Sequence, residues 1–217
     1  MRARKHAGTG IGLFLLAALM GCAVQQTRHE VPLRYEENAE TRPLPPGKRP
    51  AAVALSPFQD LRRNKGSLGR YEGSGISADL APASGSAAGD VTEMVRAHLK
   101  KLGIEVQDGD WDGKLDSVPK MRPAFALTGR IRQLGFSARS SYFKALNSGR
   151  VVIEFRLGGR DSRRLEKRTI TVLPGGKRFQ LFGNNADNLS QIDGIIQKAV
   201  NEAVRDGLVK VIRSMMP

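Results

Sequence analysis

The stretch DVTEMVRAHLKKLGIEV, residues 90–106, joins a helix to a strand and decides the fold class of this chain. Asp90 is placed to cap the helix, Glu93 follows three residues later, and Gly103 is placed to end the helix in a left-handed conformation. The apolar face predicted for this helix consists of Val91, Met94, Val95, Leu99 and Leu102. Residues 104–106 predict a short strand, so the helix leads directly into a sheet.

Upstream of the helix, a strand is predicted at residues 51–58, where Val53 and Leu55 alternate with small residues. The two strands flanking one helix are expected to be parallel, because a helical crossover returns the chain in the same direction. Residues 59–89 show no clear period between the first strand and the helix. Their Gly-, Ala- and Ser-rich part, residues 73–89, is interpreted as a mobile loop.

Downstream of the helix, three more strands are predicted at residues 124–136, 150–157 and 168–173 as antiparallel neighbours. The first of them keeps a period of two until a slip near Gln133, which a β-bulge explains. In the second, Glu154 and Arg156 fall on the face opposite the apolar residues.

The last predicted element is an amphipathic helix at residues 189–215, interrupted by Gly207, which predicts a bend or a close approach. Such a helix binds either a membrane surface or a sheet in the core with its apolar stripe, and packing on the sheet is the preferred interpretation. The stripe consists of Ile192, Ile196, Ala199, Val200, Ala203, Val204, Leu208, Val211 and Ile212. The predicted fold class is therefore α+β, a mixed four- to five-stranded sheet with two helices packed on one face.

The first 21 residues have the layout of an export signal. Arg2, Arg4 and Lys5 form a basic n-region, and residues 11–20 form an apolar h-region broken by Gly12. This run is too short to span a bilayer, which needs about 20 apolar residues. Residues 1–21 are therefore predicted to be a cleaved signal peptide.

The sequence Leu19-Met20-Gly21-Cys22 closes the h-region and resembles the lipobox of bacterial lipoproteins. The resemblance implies lipid attachment at the Cys22 sulfur, cleavage before Cys22, and anchoring by two or three acyl chains. Cys22 is the single cysteine of the chain, which argues against the alternative of an ordinary cysteine behind a plain secretory signal. Ala23 follows it instead of aspartate, and by resemblance to enterobacterial sorting signals this points to the outer membrane, facing the periplasm.

The mature chain is predicted to contain a tether and one domain. Residues 22–49 are polar and proline-rich, which is typical of a flexible tether with a reach of about 30 Å. Residues 50–217 are long enough for a single α+β domain with one core.

The chain is strongly basic, with 35 Lys and Arg residues against 21 acidic ones and a formal net charge of +14. Removal of the three basic residues of the signal peptide leaves +11. Export excludes nucleic acid as a partner, so the available polyanions are phospholipid, lipopolysaccharide and peptidoglycan. The anion-binding residues predicted around a hairpin turn are Arg160, Arg163, Arg164, Lys167 and Arg168, and their alternative is a solvated loop. Two smaller basic clusters lie at residues 62–65 and at 100–101.

Catalytic and metal-binding residues are not predicted, so the chain is interpreted as a non-enzyme without a cofactor. His98 is expected at the surface or at the boundary of the core, and Gly73-Ser74-Gly75 lacks the spacing of a nucleophile elbow. The string at residues 108–113 resembles the opening of a calcium loop, but Pro119 occupies the position of its closing glutamate. Trp111 in that string is either an exposed partner anchor or a cover for a sheet edge.

Three strings of the chain resemble the YajG-type lipoproteins, whose layout is related to the first domain of TolB and to lipoproteins of curli secretion and of envelope transporters. They are VALSPFQDLR at residues 53–62, KKLGIEV at 100–106 and LTGRI at 127–131. The resemblance implies an α+β sandwich and a non-catalytic role as an adaptor or as an assembly or transport accessory factor, with an envelope protein as partner. The alternative is a basic lipoprotein that binds lipid or glycan, and the oligomeric state stays open.

Overall fold

The structure is a computed structural model that describes residues 25–37, 42–73, 75–120, 122–141, 144–175 and 185–216. The predicted signal peptide and Cys22 lie outside these residues. The elements in chain order are β1 (Gln25–Val31), β2 (Ala52–Leu55), β3 (Gln59–Asp60), β4 (Gly69–Gly73), β5 (Ile76–Pro82), α1 (Ala87–Lys101), β6 (Glu105–Asp108), a 3-10 helix (Leu115–Lys120), β7 (Phe125–Ser141), β8 (Lys144–Gly159), β9 (Arg164–Val172) and α2 (Asn185–Met215).

The fold is α+β, as predicted, with a mixed sheet organised around the long strand β7. One side of β7 pairs with β8 over its whole length, and β8 pairs with β9, all antiparallel. The other side of β7 is shared: its first half pairs with β2, which pairs with β6, and its second half pairs with β4. Strands β5 and β1 follow β4 in order. The described residues thus contain nine strands in one sheet, and the prediction of four to five strands was too low.

Helix α1 and strand β6 confirm the fold-deciding stretch. The helix begins earlier than predicted, because Ser86 and not Asp90 is its N-cap and accepts a hydrogen bond from the Gly89 amide at 3.1 Å. Gly103 has φ +78°, as expected for the left-handed residue that ends the helix. Strand β6 pairs in parallel with β2, which confirms the predicted strand–helix–strand unit.

The predicted β-bulge is present in β7, where the register with β8 shifts between Ile131 and Gln133. Arg132 is the extra residue, and its side chain turns to the same face as that of Glu154 on β8. A bulge bends a strand locally and lets one side chain leave the alternation. The slip in the hydrophobic pattern therefore marks a real feature of the sheet.

Two segments predicted to lack regular structure are strands. Within the predicted mobile loop at residues 73–89, β5 pairs with β4 and buries Ala78 and Leu80 completely. Within the predicted tether at residues 22–49, β1 pairs in parallel with β5 along seven residues. The apolar periodicity was weak because alanine provides much of the burial in β5 and because Val31 is the single large apolar residue of β1. The flexible tether prediction was therefore wrong for residues 25–31.

Both helices pack on one face of the sheet, as predicted, and form one core with its inward-facing side chains. Along β8 the inward residues include Val151, Ile153, Phe155 and Leu157, all at most 1% exposed. Gly207 on α2 lies directly against Phe155, which confirms the predicted close approach. Among the described residues, neither helix is long and apolar enough to cross a membrane.

Candidate functional site

The face of the sheet opposite the two helices, here called the outer face, carries a cluster of charged side chains around Glu154. Because side chains alternate along a strand, Glu154 and Arg156 point to this face while Phe155 points to the helices. The segment around Trp111 covers one part of the outer face and packs on Ala54, Val118 and Ala126. The part next to it is lined by charged residues.

Glu154 is at the centre of this charged region and is 1% exposed. Arg132 donates two hydrogen bonds to its Oε2 atom, from Nε at 2.8 Å and from Nη2 at 2.6 Å. Arg156 Nε donates to Oε1 at 2.7 Å, and Lys167 Nζ lies 3.5 Å from Oε2. Burial alone raises the pKa of Glu154, but the hydrogen bonds from Arg132 and Arg156 outweigh it and hold this pKa below its usual range.

These four residues, Arg132, Glu154, Arg156 and Lys167, are called the Glu154 cluster. Three positive charges surround one negative charge, which leaves two positive charges in excess. Arg132 and Lys167 are 43% and 52% exposed at the side chain, whereas Arg156 is 13% exposed and also donates to the carbonyl oxygen of Gly113 at 3.1 Å. The carboxylate therefore fixes the orientation of cations whose remaining donors face solvent, which is an arrangement suited to a phosphate or carboxylate ligand.

The basic hairpin predicted at residues 160–168 is divided between the two faces of β9. Lys167 pairs with Arg156 across the strands and joins the Glu154 cluster on the outer face. Arg164 and Arg168 lie on the helix side, since their partners in the register are Gly159 and Phe155, and both form ion pairs with Glu166. The other two predicted residues are in the turn, where Arg160 pairs with Asp161 and Arg163 adopts φ +49°. The structure does not bring the five residues together into one site.

The basic cluster predicted at residues 62–65 is in part a structural contact. Arg62 is 8% exposed and forms an ion pair with Asp60 at 2.7 Å. Its guanidinium also donates to the carbonyl oxygens of Ser67 and Leu134, at 2.6 and 3.0 Å. Arg62 thus holds the loop between β3 and β4 against β7, and its charge is not available to a ligand.

His98 was predicted at the surface or at the boundary of the core, but it lies in the core and is 1% exposed. It faces the junction of α1 with the chain after β1, where Nδ1 and the Tyr35 hydroxyl form a hydrogen bond of 3.0 Å. Burial, together with the nearby charge of Arg205, lowers the pKa of His98 to about 4. The helical pattern of α1 marked only apolar residues as buried, so the burial of His98 was not predicted. Its partner Tyr35 belongs to the segment that was predicted to be a tether.

The calcium-like string at residues 108–113 is used for structural contacts. Asp108 accepts a hydrogen bond from Arg96 at 2.6 Å. Trp111 is 7% exposed, and its indole Nε1 donates to Ser117 Oγ at 2.8 Å, so it covers the sheet and is not an exposed anchor. Within the described residues, no group of three His, Cys, Asp or Glu side chains is placed to hold a metal ion.

Comparison with known proteins gives similarity at the level of solved structures. No family model and no curated protein matches the chain. Protein XCC0632 from Xanthomonas campestris, described as DUF330, is 12% identical, with 85% of this chain and 94% of that one covered and a TM-score of 0.49. A putative neuraminyllactose-binding hemagglutinin homolog from Helicobacter pylori is 12% identical, with coverages of 84% and 91% and a TM-score of 0.42. Lipoprotein GNA1162 from Neisseria meningitidis is 8% identical, with coverages of 70% and 99% and a TM-score of 0.37. At these values, the similarities assign neither a family nor a function to this chain.

Proposed function

We propose that the chain is a lipid-anchored lipoprotein of the bacterial envelope that acts without catalysis, as an adaptor or as an accessory factor in assembly or transport. The observation that carries the proposal is Leu19-Met20-Gly21-Cys22 directly behind a basic n-region and a short apolar h-region. The proposed location is the periplasmic face of the outer membrane, and the proposed partner is another envelope protein.

The contacts of the two histidines in the described chain support a non-catalytic role, because both join elements of the fold. His29 on β1 lies 2.8 Å from a carboxylate oxygen of Asp193 on α2. His98 on α1 forms its hydrogen bond with Tyr35, which follows β1. Each histidine therefore helps to hold the N-terminal strand region against the helices.

The lipid anchor is tested by the intact mass of the protein purified from its host's membranes, beside the Cys22→Ala variant. We expect the wild-type mass to show loss of residues 1–21 and addition of acyl chains, because the signal is cleaved before a lipidated Cys22. We expect the variant to carry no acyl mass and to leave the membrane fraction. A wild-type protein that carries no acyl mass and keeps residues 1–21 would contradict the proposed lipid anchor. Repeated failure to recover a specific partner from detergent-solubilised envelopes would count against the adaptor role alone.

A second function, binding of an anionic lipid or glycan, is favoured by the Glu154 cluster. Its excess of two positive charges lies on Arg132 and Lys167, whose side chains are about half exposed. The ligand classes proposed for it are phospholipid, lipopolysaccharide and peptidoglycan, since these are the polyanions of the envelope. In this alternative the outer face, and not the turn at residues 160–163, provides the contact.

This alternative is tested with the double variant Arg132→Gln, Lys167→Gln in the non-acylated Cys22→Ala background. We expect its affinity for vesicles that contain phosphatidylglycerol to fall by about thirtyfold, since each basic residue near an anionic surface contributes about 1 kcal/mol. The same comparison with purified lipopolysaccharide tests whether the cluster binds phosphates that are linked to a glycan. The control is Arg164→Gln, Arg168→Gln, which removes the same charge from the helix side of β9. Equal losses in both double variants would show a non-specific charge effect and contradict a site at the cluster.

A further inference from the structure

The distance between the proposed anchor and the sheet is short. Strand β1 begins at Gln25, and two residues separate it from Cys22 in the sequence. Three peptide steps span at most about 11 Å, even when fully extended. With Cys22 lipidated as proposed, the sheet begins next to the bilayer, whereas the predicted tether would have let it stand about 30 Å away.

Strand pairing identifies the part of the sheet that lies beside the start of β1. Gln25 pairs with Ile76 on β5, which pairs with Gly73 on β4. Gly73 pairs in turn with Ser140 on β7, which is next to the β7–β8 hairpin turn. One end of the sheet, here called the proximal end, thus contains the beginnings of β1, β5 and β8 and the ends of β4 and β7.

The proximal end exposes a large apolar side chain next to an ion pair. Leu146 on β8 is 68% exposed, more than Leu61 or Leu115. Leu173 directly after β9 is equally exposed, but it follows Val172, the partner of Val151, and so lies about 13 Å farther from this end than Leu146. Arg139 on β7 pairs with Leu146 across the strands, is 74% exposed at the side chain and forms an ion pair with Glu72 at 3.0 Å. A bridge between residues 148 and 175 holds the chain after β9 beside β8 near this end.

We infer that the proximal end lies against the bilayer that holds the Cys22 anchor, an inference that rests on the proposed lipid anchor. Leu146 lies at the boundary between lipid headgroups and acyl chains, and the ion pair of Arg139 and Glu72 lies beside it at the level of the headgroups. An exposed leucine beside an ion pair suits this layer, because it accepts apolar side chains and keeps charged groups hydrated. The short link from Cys22 brings these residues within reach of the bilayer.

The same orientation directs the other end of the sheet away from this bilayer. From Leu146 to Arg160 the chain runs along β8 for fourteen residues, or about 46 Å at 3.3 Å per residue. The Glu154 cluster lies about 26 Å from Leu146 by the same measure. An anionic ligand of the cluster is then a separate molecule or a facing surface, and not the lipid of the anchoring membrane.

The orientation is tested with environment-sensitive fluorophores on single cysteines in the full, acylated protein in phosphatidylglycerol and phosphatidylcholine vesicles. Acylation blocks the Cys22 sulfur, so Leu146→Cys provides one reactive thiol, and Leu173→Cys provides a position about 13 Å farther along the sheet. The control is Leu115→Cys, also on an exposed leucine, which is 49% exposed. Leu115 belongs to the 3-10 helix, which packs beside β8 and β9 near Arg156.

We expect quenching by lipids labelled near the headgroup to be about twofold or more stronger at position 146 than at 115, with position 173 between them, because side chains at an interface enter the lipid by about 5 to 10 Å. Equal quenching at all three positions, or stronger quenching at 115, would overturn the proposed orientation. The intact mass is measured on the same samples. An acylated protein without the expected quenching pattern overturns this inference alone, whereas an unacylated protein purified from the host overturns the lipid anchor itself.

Discussion

Replacing Gly207 with alanine is expected to lower the free energy of unfolding by about 2 to 3 kcal/mol, the range of overpacking in a filled core. A Cβ atom at Gly207 would lie 2.1 Å from Cε2 of Phe155, closer than any real contact. Phe155 is 0% exposed and packs edge-on against Phe58 with ring centroids 5.6 Å apart, so its ring has no free space to enter. Helix α2 must therefore move away from β8 to accept the methyl group.

The matched control is Gly194→Ala in the same helix, where an added Cβ meets no atom within 4 Å. Helix propensity favours alanine over glycine by about 1 kcal/mol, and at this exposed position nothing opposes it. We expect a gain of about 0.5 to 1 kcal/mol at residue 194 and a loss at residue 207. Urea unfolding of both variants measures the difference as opposite shifts of the transition midpoint. A gain in both variants would show that Gly207 is not needed for close packing.

Acidification is expected to remove about 3 kcal/mol of stability through His98 alone, because its pKa in the folded protein is about 4 against an ordinary value of 6.5. The unfolded chain binds the proton first as the pH falls. The contribution is therefore fully present above pH 6.5, is lost between pH 6.5 and about 4, and does not decrease further below that range. Burial between α1 and Tyr35, with the charge of Arg205 nearby, is the cause.

The variant His98→Gln isolates this effect from the other titrating groups. We expect it to be less stable than the wild type at pH 7, since the contact with Tyr35 changes, and to lose less stability than the wild type between pH 6.5 and 4. The difference between the two stability profiles, measured by denaturant unfolding at each pH, reports on His98. The control is His29→Gln at the partly exposed pair with Asp193. Parallel profiles for wild type and His98→Gln would contradict a buried neutral histidine.

The elements predicted from the sequence are those in which large apolar residues keep a clear period. Val91 to Leu102 defined α1, the alternation around Ile153 defined β8, and the slip near Gln133 located the bulge. Strand β1 was missed because its sequence is polar and its pairing with β5 depends on backbone hydrogen bonds. Strand β5 was missed because Ala78 and Ala81 provide much of its burial. Backbone pairing and the burial of small side chains leave little trace in hydropathy.

The Glu154 cluster was indicated only in part. Strand alternation placed Glu154 and Arg156 on one face, and the predicted bulge near Gln133 did not identify Arg132 as the residue that turns to that face. Their meeting with Lys167 depends on the register of three strands, and register is not encoded in the period of any one strand. A run of positive charge in the sequence was a poor guide, because the strand divides residues 164–168 between opposite faces of the sheet. The cysteine predicted for lipid attachment lies outside the described residues, and its role stays a prediction.

The parallel pairing of β1 with β5 determines how the domain responds to mechanical tension. A pull on the chain upstream of Gln25, as the proposed anchor transmits when the membrane and a bound partner separate, acts along the axis of β1. When the partner holds the opposite end of the domain, β1 and β5 are loaded in shear, and their seven residue pairs carry the force together. The contact between His29 and Asp193 joins the strand to α2 and adds a second point of resistance. Strand β1, the edge strand next to the proposed anchor, thus resists being pulled out of the sheet.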